Sequence, residues 1–136
     1  MSRDFVLDAW ALLAFLQGEE PASTRVHDVF QDAQLGNARL FVSMINIGEI
    51  YYRVGKTRTP IEADSVLADL YLLPMEILSA DDETVLAAAR LKMAYAISYA
   101  DAFAAVTSQQ RGAVLLTGDP ELVELEHVLR IEKLIR

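Results

Sequence analysis

The chain has no cysteine, so it can form neither a disulfide nor a thiolate zinc site, a composition that fits a reducing compartment. It also lacks a surplus of positive charge: 12 lysines and arginines face 20 aspartates and glutamates, for a net charge of −8. That balance argues against nucleic-acid binding through a broad basic surface. Clustered carboxylates holding divalent cations would still supply positive charge locally. No apolar stretch suits a signal peptide or a membrane span, because the run from Phe5 to Leu16 comes after Arg3 and Asp4 and is broken by Asp8. Internal repeats, linkers and low-complexity segments are missing too. What remains is a sequence of 136 residues, 53% hydrophobic, able to bury roughly two thirds of its unfolded surface and apolar enough to need a fully buried sheet or a partner surface. Residues 1–136 are expected to form a single domain, located in the cytoplasm.

Phe5-Val6-Leu7 reads as a short buried strand and the Ala/Leu-rich stretch Ala9 to Leu16 as a helix, which puts Asp8 at their junction. Pro21 opens a second helix, with Val26, Val29, Phe30 and Ala33 on one stripe and Gly36 closing it. Leu40 to Ser43 is a second buried strand. Met44 to Lys56 then reads as a helix on which Asn46, Glu49 and Arg53 share a polar stripe. Thr59-Pro60-Ile61-Glu62 is a capping box ahead of a helix whose apolar face carries Val66, Leu67, Leu70 and Tyr71. Met75 to Leu78 gives a third strand, after which Ser79, with Asp82 and Glu83, starts a helix to about Met93. Ile97-Ser98 is a candidate very short strand. Tyr99 to Arg111 is an alanine-rich helix closed by Gly112, Val114 to Thr117 a strand, Asp119-Pro120 the start of a helical turn, and Val128 to Ile131 a candidate edge strand. This alternation predicts an α/β fold, a parallel sheet covered on both faces with its chemistry at one edge.

Four acids stand at or near predicted strand ends, and each has an ordinary structural role open to it. Asp8 can cap the first helix by accepting from its free N–H groups. Glu49 can form an i,i+4 pair with Arg53, and Asp119, with proline after it, suits an N-cap. Asp101 is surrounded by Tyr99, Ala100, Ala102, Phe103, Ala104 and Ala105; a carboxylate buried there needs a donor, a cation or a metal, or else serves with Ser98 in a capping box. Independent caps would not require all four acids to come after strands that meet at one sheet edge, where ligands bind in open α/β sheets.

The set Val6-Leu7-Asp8 with Ala11 to Ala14, Asn46-Ile47-Gly48-Glu49, Ser98 to Ala105 and Leu116-Thr117-Gly118-Asp119-Pro120 resembles the PIN-domain nucleases, most closely the VapC-like toxins of type II toxin–antitoxin pairs. The resemblance covers nearly the whole chain and implies a three-layer α/β/α PIN-like fold with a mainly parallel central sheet. It further implies an endoribonuclease dependent on Mg²⁺ or Mn²⁺, with Asp8, Glu49, Asp101 and Asp119 as the acidic quartet and Asn46 and Thr117 in support. Asp8 and Asp101 are then the primary ligands, while Glu49 and Asp119 bind a second ion or order water. In-line attack on RNA would leave a 5′-phosphate and a 3′-hydroxyl. The implied partners are an RNA substrate, a VapB-like antitoxin and a second copy of the chain.

Arg53, Lys56 and Arg58 are the basic group near the acids, able to guide a phosphate backbone or to complement a helix C-terminus. His27 and His127 lack metal-ligand spacing. Tyr51 and Tyr52 are expected in core packing, with a dimer or antitoxin groove as the alternative. An aspartyl phosphatase is disfavoured because Trp10 occupies the position of its second aspartate, and a receiver domain because Thr117-Gly118-Asp119 stands where a lysine is needed. The remaining rival is a catalytically inactive PIN-like module that binds protein or RNA through the same surface.

Overall fold

In the computed structural model, which describes residues 3–136, Phe5, Val6 and Leu7 of strand β1 (Arg3–Leu7) are all buried. Successive strand residues face opposite sides, so this strand is covered on both faces. Phe5 and Leu7 join Leu40 and Val42 of β2 (Ala38–Ser43) and Leu116 of β4 (Val114–Thr117) in one apolar cluster. That cluster is closed by helices α1 (Ala9–Leu16), α2 (Ala22–Gln34), α3 (Met44–Thr57) and α4 (Pro60–Leu72). Val6, Phe41 and Leu115 point the other way, into a second cluster under α5 (Asp82–Ala94) and α6 (Tyr99–Arg111). The result is a three-layer α/β/α arrangement.

With β3 (Glu76–Leu78) and β5 (Ile131–Lys133) the sheet has the order β3-β2-β1-β4-β5, and every neighbouring pair is parallel. A parallel sheet aligns all strand C-termini at one edge. Leu7, Ser43 and Thr117 therefore end side by side, and the loops and helix starts that leave these three residues are brought together. Connections from β1 run outward through β2 to β3, whereas β4 and β5 lie on its other side, so the order reverses beside β1, the kind of position at which open α/β sheets bind ligands. None of the described helices is long and apolar enough to cross a membrane.

Several boundaries differ from the sequence expectation. The helix after β3 is capped by Asp81, whose carboxylate accepts from Thr84 N–H at 2.8 Å, and not by Ser79; an Asp one residue before the helix reaches the free amides that Ser79 cannot. Ile97-Ser98 forms no strand: Ile97 is buried in the second cluster and Ser98 caps α6. The edge strand lies at Ile131–Lys133, three residues beyond its expected start, because residues up to Leu129 continue the turns after α7 (Pro120–Val123). Tyr51 and Tyr52 lie outside the core, 38% and 56% exposed, with the Tyr51 hydroxyl donating to Asp64.

Leu12 is fully buried in α1 and anchors that helix to the sheet. Leu12→Ala should cost about 2–5 kcal/mol, seen as a lower urea midpoint at unchanged slope.

Candidate metal centre

Asp8 leaves β1 in extended conformation, and its two oxygens have separate partners. Oδ1 accepts from Ala11 N–H at 2.8 Å, capping α1; Oδ2 accepts from the Thr117 hydroxyl at the end of β4. The Thr117 oxygen in turn accepts from Asp119 N–H at 3.0 Å. One short chain of hydrogen bonds thus fixes the carboxylate after β1 relative to the loop after β4. Asp8 both caps α1 and is tied to the loop that carries Asp119.

The other side is set by two helix N-termini. Ser98 caps α6 by accepting from Asp101 N–H at 3.1 Å, which places Asp101 in its first turn. Asn46, in the first turn of α3, is fully buried and donates through Nδ2 to Ala100 C=O at 3.1 Å, tying α3 to α6. Glu49 lies one turn further along α3, where its Oε2 meets Arg53 Nη1 at 3.5 Å. Its Oε1 is buried with no hydrogen-bond partner, and so is Asn46 Oδ1. Asp119 caps α7 by accepting from Glu121 N–H at 2.9 Å. Carboxylate oxygens of Asp101, Asp119 and Glu121 lie within 4.8 Å of one another. Glu121 did not stand out in the sequence, where an acid just after Asp119-Pro120 reads as ordinary first-turn helix charge; its signal was a second acid two residues beyond the first in the loop after the last core strand.

Gly118 is required between Thr117 and Asp119. A Cβ there would run into the Trp10 ring and stand 2.7 Å from Leu134 C=O. The loop is pressed between α1 and the chain leaving β5, and only glycine allows so close an approach.

These acids share one electrostatic environment. Burial pushes the Asp8 carboxyl up to about 7, opposed by its bonds from Thr117 and Ala11 and reinforced by Asp101 and Asp119. Burial also pushes Asp101 up to about 7, with Asp119 the largest of the charges adding to it and Glu49 and Glu121 after it, against the Ser98 contact. Asp101 and Asp119 thus act on Asp8, and Asp119, Glu49 and Glu121 on Asp101, at the C-terminal edge of the sheet. Buried like charges need neutralisation, and the unpartnered Glu49 oxygen offers a ready lone pair. Oxygen donors without sulfur or imidazole suit a hard divalent cation, so the residues present fit one.

A family model for the PIN domain matches residues 5–128. The chain belongs to the PIN domain family. Its fold is that of solved toxin–antitoxin structures. The DNA-bound VapBC from Salmonella typhimurium aligns at 20% identity with a TM-score of 0.72, covering 98% of this chain and 98% of that one. VapBC2 from Rickettsia felis, bound to a DNA fragment from its promoter, aligns at 17% identity with a TM-score of 0.70, covering 96% of this chain and 98% of that one. VapBC-1 from nontypeable Haemophilus influenzae gives 16% identity and 0.67 over 96% and 97%. At these identities the likeness is one of fold. No curated protein matches the chain in sequence.

Of the basic residues singled out in this PIN domain, Arg53 pairs with Glu49. Arg53 and Arg58 line a separate groove of about 240 Å³ whose apolar wall is Leu13, Leu16, Val54 and Val66. Arg58 also approaches Glu62 at 3.8 Å, and Lys56 is exposed on the last turn of α3. His27 and His127 are both exposed, the latter edge-on to Tyr95.

A carboxyl whose folded-state value lies above its unfolded one weakens the fold as it ionises, so stability should be lost as pH rises from about 4 through 7 and then level off. At about 1.4 kcal/mol per unit, Asp8 alone accounts for something on the order of 4 kcal/mol. The expected result is a melting temperature in chelator several degrees lower at pH 8 than at pH 5, with Mn²⁺ restoring it at pH 8 and doing little at pH 5. Gly118→Ala should displace Asp119 and Trp10 and weaken Mn²⁺ binding in a calorimetric titration by roughly tenfold or more.

Proposed function

We propose that this PIN domain is a metal-dependent endoribonuclease, the toxin of a VapBC-type toxin–antitoxin pair. PIN domains are in general nucleases, and the carboxylate cluster is in place. The observation that carries the reading is the buried Glu49 Oε1, left without a donor beside Asp101. A cluster with only capping and ion-pair duties would have no reason to keep that oxygen unpaired among like charges.

In this reading Asp8 and Asp101 hold Mg²⁺ or Mn²⁺, and Glu49, Asp119 and Glu121 border it or hold a second ion. A bound divalent ion supplies positive charge for the phosphate oxygens and a lowered pKa for an attacking water. The chain's own groups do the rest. Thr117 and Ala11 N–H keep Asp8 in one orientation, which limits the reorganisation that charge development would otherwise require. Asn46 keeps the helix bearing Glu49 against the helix bearing Asp101. Glu49, whose Oε1 has no donor in the fold, would order the attacking water; in-line attack on phosphorus, with the bond to the 3′-oxygen breaking and a proton from water ending on that oxygen, would leave a 5′-phosphate and a 3′-hydroxyl.

The partners in the same reading are a VapB-like antitoxin that silences the nuclease, and a second copy of the chain forming a homodimer in the cytoplasm. The solved relatives named above are VapBC assemblies.

Asp101→Asn should lower RNA cleavage by roughly a hundredfold or more while raising the melting temperature in chelator at pH 8, since one of the repelling charges is gone. A variant that is both inactive and more stable separates lost chemistry from lost fold; retained Mn²⁺-dependent cleavage overturns the assignment. Asp8→Asn should abolish the Mn²⁺ isotherm. Metal binding by the wild-type protein without cleavage of any RNA would make it an inactive PIN-like binding module.

A further inference from the structure

The parallel sheet that gathers acids at one end gathers arginines at the other. Arg3 begins β1, Arg39 is the second residue of β2, and Arg130 immediately precedes β5. Together with Asp4, Gly112 and Val114 they line a cleft of about 320 Å³ at the N-terminal ends of the strands. The Arg39 guanidinium also lies 5.8 Å from the centroid of the Phe41 ring, which Arg111 approaches at 4.7 Å from a neighbouring pocket shared with Ser43 and Asp81. Three of the chain's 12 basic residues thus line one cleft in a protein with net charge −8.

Few of their donors are engaged. Arg39 makes two bonds to Asp4, at 3.0 and 2.7 Å, which leaves Asp4 neutralised. Arg130 donates one N–H to Gly112 C=O at 3.0 Å, answering the C-terminus of α6. Arg3 packs its guanidinium over Phe5 at 5.2 Å. Among the described residues Arg3, Arg111 and Arg130 form no ion pair, although the chain has 20 carboxylates to offer. A guanidinium presents five N–H donors in a fixed fork that matches phosphate oxygens, so the cleft retains a surplus of donors and of charge.

We propose that this cleft binds a phosphate of the RNA backbone, on the far side of the sheet from the carboxylates. The inference rests on the nuclease reading for the identity of its ligand, but its evidence is binding alone. A single strand cleaved at the acidic end would pass around the domain, on the order of 15–20 Å along the strands, and be held by charge at the basic pole. The arrangement lets an acidic protein retain a polyanion without a broad basic surface.

The test uses a labelled single-stranded RNA of about 16 nucleotides and a short one of about 4, titrated by anisotropy into the full-length Asp101→Asn protein over a range of salt. Adding Arg3→Ala and Arg130→Ala should weaken the long RNA about tenfold at low salt and flatten its log–log salt slope by roughly 1.4, leaving the short RNA unchanged. Arg3→Lys with Arg130→Lys should recover most of the slope. Arg90→Ala, which removes an exposed charge from α5 outside the cleft, should leave the slope unaltered. Equal weakening by Arg90→Ala, no effect of the double alanine variant, or failure of the long RNA to bind at all overturns the proposal. Inorganic phosphate that saturates the cleft without displacing the long RNA overturns it in favour of a free-phosphate site. Failure of the wild-type protein to cleave RNA, by contrast, counts against the nuclease reading and leaves these binding results standing.

Discussion

The burial of two carboxylates, Asp8 and Asp101, with further acids beside them, is the constraint around which this domain is arranged. Asp8 and Asp101 are drawn out of water by the same packing that covers the sheet, and each is held near the others by groups that cannot neutralise it. The fold tolerates the cost through hydrogen bonds to single oxygens: the Ala11 amide and Thr117 hydroxyl on Asp8, and the Ser98 cap that orients the first turn of α6. These bonds leave negative charge exposed to whatever enters the cluster. Raised carboxyl values of this kind favour the protonated form in the fold, and a bound cation would offset the cost of ionising them.

Precision at the site comes from a few close contacts. Gly118 lets Trp10 and the backbone near Leu134 press on the loop that carries Asp119. Fully buried Asn46 ties the first turns of α3 and α6, so the helix that carries Glu49 is held against the one that carries Asp101. Neither residue is charged. Both act by limiting where charged neighbours can go, which is how pre-organised sites avoid reorganising during a reaction.

The same parallel topology also separates charge along the strand direction. Carboxylates lie beyond the C-terminal ends of β1, β2 and β4, and arginines sit at the N-terminal ends of the sheet. A domain with a large net negative charge thereby carries a confined positive pole, and average composition conceals both ends.

Much of the architecture was legible in the order of residues. The continuous apolar runs Phe5-Val6-Leu7 and Val114-Leu115-Leu116 read as buried strands, and capping residues such as Thr59, Ser98 and Asp119 marked helix starts because free amides need local acceptors. Sequence points to Ser79 where Asp81 makes the cap, and the weak apolar stretch Val128 to Ile131 has no periodicity to anchor its boundary, so packing set both. Sequence by itself determined the helix–strand alternation and hence a sheet with acids at one edge. Only the tertiary structure decided that Glu121 joins Asp101 and Asp119, that Tyr51 and Tyr52 lie outside the core, and that Arg3, Arg39 and Arg130 share a cleft. Periodicity assigns a residue to a face of its own element; distances between elements depend on how those faces pack.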